Sequence, residues 1–284
     1  FTNRDYTGYY QQIPAKRLED VMKLESDRFA HNQWPDSEFK KEIEVIKEER
    51  RMRTDDNPRA SLMEQLNAAT WQASPYHRPV VGWMGDLDSM KADDARQFHQ
   101  QWYVPENAVV VIAGDVDVAQ VRALAEKYYG SIPKRALPER KPRPEPLQKG
   151  ARRIDYKAPA EQAYVLMSFK VPDLRSIEQP QASDKDAMAL MMLSSVLSGY
   201  DGARLDRRLT QGEGRVADAA FSGAGVVNRG PSTFTLGGIP SQGKTAKDVE
   251  DALRAEVARV AKEGVSEAEL TRVRPQWMAS TVYE

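Results

Sequence analysis

Two glutamates on the apolar face of one helix constrain the fold more than any other feature of this sequence. The spacing of apolar residues predicts a helix over residues 39–53. At about 100° per residue, Glu42 and Glu49 fall about 20° apart, near the middle of the apolar face. We expect both carboxylates to be directed towards the interior, where a charge is costly unless a cation, a metal ion or hydrogen bonds receive it. The fold must therefore supply a partner for each acid.

Two interpretations of this pair stay open on geometry alone. Arg50 and Arg53 lie on the same side of the helix, so each could neutralise one acid in an ion pair. Glu25 also lies at the centre of an apolar helix face, which makes such acids a recurring feature of the chain. The other interpretation is that the two glutamates belong to a metal or catalytic site.

Composition excludes several classes of function. The 284 residues are 40% hydrophobic and 29% charged, as is usual for a soluble globular protein, and the formal net charge is −1. We therefore expect no nucleic-acid partner, and no apolar run approaches the ~20 residues that span a bilayer. The chain has no cysteine, which excludes disulfides and cysteine-bound zinc.

A stretch rich in proline and charge, residues 135–150, predicts a semi-rigid linker between residues 1–134 and residues 151–284. Both halves alternate helix and strand patterns, which favours an α+β fold of two similar domains. Each domain would be a mostly antiparallel or mixed sheet with helices packed on one face. The predicted strands are residues 5–13, 108–113, 164–169 and 232–236. The predicted helices are residues 15–30, 39–53, 60–71, 93–103, 118–129, 186–197 and 245–262, with another that starts at residue 267.

Two further patterns carry less weight. Residues 238–245, Gly-Ile-Pro-Ser-Gln-Gly-Lys-Thr, match the phosphate-binding loop pattern, yet no later apolar strand ends in the magnesium-holding acid that such a fold needs. A nucleotide-dependent module therefore stays a hypothesis that this sequence favours little. The histidines, His31, His77 and His99, are too far apart in sequence to form a local metal-ligand pair.

Several segments occur in an order that is specific as a set. Glu42 and Glu49 form a Glu-x6-Glu pair, and Pro-Tyr-His-Arg-Pro follows at residues 75–79. Trp-Tyr-Val-Pro-Glu-Asn-Ala at residues 102–108 precedes Ala-Gly-Asp-Val-Asp at residues 113–117, and Lys-Tyr-Tyr-Gly-Ser-Ile-Pro follows at residues 127–133. Together they resemble the pitrilysin/insulinase family of zinc metallopeptidases, which includes the mitochondrial processing peptidases.

The resemblance implies a zinc metalloendopeptidase that hydrolyses unfolded peptides. In it Glu49 would be a zinc ligand, and Glu42 would support the site from outside the coordination shell. Residues 1–134 would be the rear part of the catalytic domain, and residues 151–284 an incomplete, non-catalytic domain of the same fold. The family's His-x-x-Glu-His motif supplies two ligands and the general base, and it is absent here. We therefore expect this chain alone to be inactive and to bind zinc weakly or not at all.

A second departure concerns substrate binding. Many relatives carry an Arg-x6-Tyr pair, and the corresponding positions here hold Thr210 and Ala217, so no substrate-binding residue is predicted. The resemblance implies a homodimer or a heterodimer with a subunit of the same fold. The alternative function is a non-catalytic scaffold or substrate clamp in a heteromeric peptidase. The sequence does not indicate the compartment, and our guess is the periplasm.

Overall fold

The computed structural model describes residues 1–283, with the side chains of all but residues 280, 281 and 283. The chain divides into two compact units. The first consists of Phe1–Arg53 and Pro79–Arg143, and the second of Thr54–Arg78 and Pro144–Glu284.

The α-helices of the described residues follow the predicted order, with one addition, the short helix α4, which the sequence does not predict. They are α1 (Leu18–His31), α2 (Asp36–Arg50), α3 (Pro58–Thr70), α4 (Met84–Ser89), α5 (Ala92–Trp102), α6 (Val118–Tyr128), α7 (Ala182–Ser198), α8 (Ala246–Glu263) and α9 (Glu267–Tyr283). Single turns of 3-10 helix occupy Ala15–Arg17, Pro75–His77 and Pro105–Asn107, and π-helical turns occupy Arg51–Asp55 and Asp206–Thr210.

Side-chain caps explain where several helices start. The Asp117 carboxylate accepts a hydrogen bond from the Gln120 backbone N–H at 2.8 Å and so begins α6. Thr245 and Asp248 form a reciprocal capping box at the start of α8. These caps depend only on neighbouring residues.

Two strands that the sequence predicts in the first unit do not form. Residues 5–13 make no strand beyond an isolated bridge between Thr2 and Thr7, and residues 108–113 have no regular structure. Val109 and Val111 are 89% and 81% exposed. A strand makes its hydrogen bonds to another strand, and the described residues of this unit offer none as a partner. Both predictions are therefore wrong for this chain.

The second unit contains the sheet. Within the described residues it has three antiparallel strands, β1 (Val165–Val171), β2 (Ala217–Gly225) and β3 (Ser232–Pro240), in the order β1-β3-β2. Helices α7 and α8 cover one face, and the core between them is formed by apolar side chains such as Leu236, Leu253 and Val249. The predicted strands at residues 164–169 and 232–236 are confirmed as β1 and β3.

The phosphate-loop pattern at residues 238–245 has structural uses in this unit. Gly238 lies inside β3, where a Cβ would come within 2.8 Å of Val249 and 2.9 Å of the Ala219 carbonyl oxygen. Thr245 is the cap of α8. Close packing and capping therefore account for both ends of the pattern.

Candidate metal site on helix α2

Glu42 and Glu49 both lie on α2, one above the other on the side that the sequence predicts. The prediction that this side is buried is wrong. Glu42 is exposed, Glu49 keeps 38% of its side-chain surface, and the neighbouring Val45 and Met52 are exposed as well. Helix periodicity identifies residues that share a face, but it does not say what covers that face.

The ion-pair interpretation holds for one of the two acids. An Nη1 atom of Arg53 lies 2.7 Å from Oε1 of Glu49. Arg53 is mostly exposed, and ion pairs of this kind contribute little because water screens them. Arg50, in contrast, is buried, donates a hydrogen bond to the Gly82 carbonyl at 2.9 Å and lies over the Trp83 ring. Among the described residues, the weak pair with Arg53 is therefore the contact that competes for the Glu49 carboxylate.

Contacts on the other sides of α2 fix its orientation. The Lys47 ammonium bridges the carboxylates of Glu44 and Asp88 at 2.9 and 3.0 Å. The Arg50 contact anchors the last turn, and the helix continues into the π-helical turn Arg51–Asp55. Glu49 is therefore presented on a helix whose opposite surface is held in place.

The residues of this chain do not by themselves fit a zinc site. Within residues 1–283, no group of three or more His, Asp and Glu side chains is arranged to hold a metal ion. A catalytic zinc site usually has three protein ligands, and here Glu49 would provide one. The histidines have other environments: His31 pairs with Asp27, His77 contacts the Ser74 carbonyl, and His99 stacks on Tyr103.

The structure also places Thr210 and Ala217, the two positions at which the resemblance led us to look for an Arg and a Tyr. The Thr210 hydroxyl donates a hydrogen bond to the Asp206 carbonyl at 2.9 Å, and Ala217 is fully buried at the start of β2. Neither side chain presents a charged or phenolic group. In the folded chain, as in the sequence, these two positions therefore lack the Arg and Tyr groups that the resemblance led us to expect.

One polar site in the second unit has no signal in the sequence. Glu145, from the predicted linker, accepts hydrogen bonds from the backbone N–H groups of Gln72, Ala73 and Ser74 at 2.8 to 3.0 Å. The Lys170 ammonium donates to it at 2.8 Å. Burial alone would raise the pKa of Glu145, but these four hydrogen bonds outweigh it and lower the pKa to about 2.

Comparison with known proteins identifies the family. The family model for the peptidase M16 inactive domain matches residues 89–276, and the model for insulinase (peptidase family M16) matches residues 1–82. The chain belongs to the M16 peptidase family, which confirms the resemblance inferred from the sequence.

The relatives that match in sequence are named zinc proteases, and a solved protease structure has the same fold. Zinc protease PqqE of Helicobacter pylori is 28% identical over 278 residues, which cover 96% of this chain and 60% of that protein. An uncharacterized zinc protease of Mycobacterium leprae is 29% identical over 95% of this chain and 58% of its own length. The crystal structure of a protease from Helicobacter pylori superposes with a TM-score of 0.82 at 27% identity, covering 94% of this chain and 63% of that one.

The chain thus spans about 60% of the length of these relatives. The α+β fold class is confirmed. Among the described residues, none of the helices combines the length and hydrophobicity that a bilayer span requires.

Proposed function

We propose that this chain is part of a longer zinc metalloendopeptidase, in which Glu49 is one zinc ligand and Glu42 positions a neighbouring ligand by hydrogen bonding. The observation that carries the proposal is the position of Glu49. Glu49 is a half-exposed carboxylate on an anchored helix, and the exposed side chains of Val45 and Met52 lie beside it. The relatives of this chain are named zinc proteases.

The local energetics support a ligand role for Glu49. Its partner Arg53 is exposed, so exchanging that ion pair for a metal ion would cost little. A carboxylate buried against Arg50 would have been far harder to recruit. The exposed Val45 and Met52 beside it offer apolar surface that a further part of the protein would cover.

The same reasoning assigns roles to the rest of the chain. Residues 1–134 would complete a catalytic domain together with residues that supply the other ligands and the general base. Residues 135–150 would be the linker, and residues 151–284 a second, non-catalytic domain. The substrates would be unfolded peptides, and the active form would be a homodimer or heterodimer of same-fold subunits. This chain alone would be inactive because it contributes one ligand.

A second candidate function is a non-catalytic clamp subunit. The match of residues 89–276 to an inactive domain favours it. The presence of both Glu42 and Glu49 argues against it, and so does the replacement of the Arg and Tyr pair by Thr210 and Ala217.

The test is peptide cleavage by the longer protein and its variants, with an unfolded fluorogenic peptide as substrate. We expect Glu49→Gln to reduce cleavage by at least about 100-fold and Glu42→Gln by about 10- to 100-fold. Glu48→Gln is the matched control, since Glu48 is exposed and pairs with Arg51, which is exposed as well. It should stay within about twofold of the unaltered protein.

Two results would count against the proposal. Full cleavage by Glu49→Gln would exclude a ligand role for Glu49. Cleavage that requires a second subunit and is the same for Glu49→Gln as for the unaltered longer protein would favour the clamp function instead.

A further inference from the structure

A pocket lined by charged side chains lies in the second unit, between residues 204–208, the second half of α8 and the start of α9. Its volume is about 340 Å³, which lies near the lower end of the range for small-molecule sites. The described residues that line it are Arg204, Arg207, Arg208, Arg259, Glu263 and Glu269. All six belong to the second unit, so the pocket is formed within that unit.

A buried glutamate lies behind these arginines. Glu256 is 2% exposed, and three guanidinium groups approach its carboxylate. The N–O distances are 3.7 Å for Arg204, 3.2 Å for Arg208 and 3.6 Å for Arg259. Because a buried carboxylate needs positive charge close to it, Glu256 favours the gathering of these arginines at one place. One acid does not neutralise three cations, so the cluster keeps positive charge for a further partner.

Arg204 already has its own acidic partner. Its Nε and Nη2 atoms donate to the two carboxylate oxygens of Glu269 at 2.6 and 2.8 Å, and Nη2 also donates to the Gly264 carbonyl at 2.9 Å. Such a two-pronged pair fixes both side chains. Arg204 and Glu269 therefore form a fixed, neutral wall of the pocket.

The other three arginines keep N–H donors for a ligand. Arg208 and Arg259 contact Glu256 through their Nε atoms, and within residues 1–283 their Nη groups donate no hydrogen bond. Arg207 is exposed, and its guanidinium pairs with no acid in the described part of the chain. Guanidinium groups hold oxyanions through paired N–H donors, and they match the geometry of phosphate well. The ligand chemistry that fits these donors is therefore a phosphate group.

One acid in the lining opposes an anion. Glu263 is exposed at the pocket, one turn beyond Arg259 on α8. With Glu256 included, the four arginines of the pocket face three glutamates, an excess of one positive charge. Removal of the Glu263 charge should therefore strengthen the binding of an anion, an effect that a purely structural cluster would not show.

We propose that this pocket binds a small ligand through a phosphate group, which Arg207, Arg208 and Arg259 hold. The described lining offers no apolar side chain, so the rest of the ligand is small and polar. Inorganic phosphate and a phosphorylated small molecule present the same oxyanion to the arginines. The proposal goes beyond peptide hydrolysis and does not involve Glu49.

The test is isothermal titration calorimetry of the 284-residue chain with inorganic phosphate and with glycerol phosphate, in chloride buffer at constant ionic strength. We expect saturable binding with one site per chain. Tighter binding of glycerol phosphate would identify a phosphorylated small molecule as the ligand, and tighter binding of inorganic phosphate would identify the free anion.

Variants locate the site. Arg207→Ala should weaken binding by at least about tenfold because it removes a charged donor, and Glu263→Gln should strengthen binding by about two- to fivefold. Both side chains are exposed, so both variants should fold. Arg254→Ala is the matched control and should leave binding unchanged. Arg254 is an exposed arginine of α8 that pairs with Glu250 and lies outside the pocket.

Three results would overturn the proposal. The first is that neither compound shows saturable binding. The second is an equal loss of binding in Arg207→Ala and Arg254→Ala, which would identify a general attraction of anions to positive charge. The third is a loss of binding in the longer protein, because the pocket would then be covered by the rest of that protein.

Discussion

Replacing Glu145 by Gln should destabilise the second unit strongly, although the change alters one atom in a proline-rich segment. The carboxylate is 11% exposed and receives three backbone N–H groups and the Lys170 ammonium. A Gln side chain offers one acceptor oxygen and turns its NH₂ group towards donors. At least one backbone N–H and the ammonium would then lose a charged acceptor.

The magnitude follows from the pKa of Glu145. A fall from the ordinary value of 4.5 to about 2 corresponds to roughly 3 kcal/mol of stability at neutral pH. Because the folded-state pKa is depressed, this stabilisation is present above about pH 4.5 and is lost as the pH falls towards 2. At pH 3 it should be roughly half of its neutral value or less.

The assay is urea unfolding of the unaltered chain and of Glu145→Gln at pH 7 and at pH 3. We expect the free energy of unfolding to fall by about 2 to 3 kcal/mol at pH 7 and by clearly less at pH 3. Glu139→Gln, an exposed glutamate of the same proline-rich stretch, serves as the control. A Glu145→Gln effect below about 0.5 kcal/mol at pH 7, or one that does not shrink with pH, would refute the reasoning.

Two other predictions concern one residue in each unit, Gly238 and His99. Gly238→Ala should lower the free energy of unfolding by about 1 to 3 kcal/mol, because its Cβ would clash with Val249. Gly223→Ala is the control and should cost less, because nothing lies within 4 Å of the added Cβ. Thermal unfolding of both variants decides between these outcomes. His99 has a pKa below its ordinary 6.5, first because of burial and then because of nearby arginines, so stability of the first unit should fall as the pH drops below 6.5. In thermal melts between pH 7.5 and 5.5, His99→Phe should lose this pH dependence and His31→Asn should keep it. If the stability of His99→Phe still falls with pH as steeply as that of the unaltered chain, His99 is not its cause.

Local signals were sufficient for most of the helices, although α4 was not predicted. Asp117 and Thr245 cap α6 and α8 through atoms only three residues away, so the sequence predicts these starts correctly. Strands depend on partners that are distant in sequence. Residues 108–113 are apolar enough for a central strand, yet without a partner they stay irregular and exposed.

The opposite error occurred at β2. Its sequence, Ala-Asp-Ala-Ala-Phe-Ser-Gly-Ala-Gly, is rich in small residues with weak strand preference, and it forms a strand because β3 pairs with it. Tertiary pairing decided the structure there against the local preference.

The candidate sites divide in the same way. The alignment of Glu42 with Glu49 follows from the helix period and is correct, whereas their burial depends on what packs over α2 and is not. Glu145 could not be predicted, because its partners at residues 72–74 lie some seventy residues away and contribute only backbone groups.

Zinc content tests the proposed role of Glu49 as a zinc ligand most directly. The longer protein, its Glu49→Gln variant and its Glu48→Gln variant would be purified in parallel and analysed for metal by mass spectrometry. We predict one zinc per chain in the unaltered protein and in Glu48→Gln, and a clear loss of zinc in Glu49→Gln. Full zinc occupancy in Glu49→Gln would contradict this prediction.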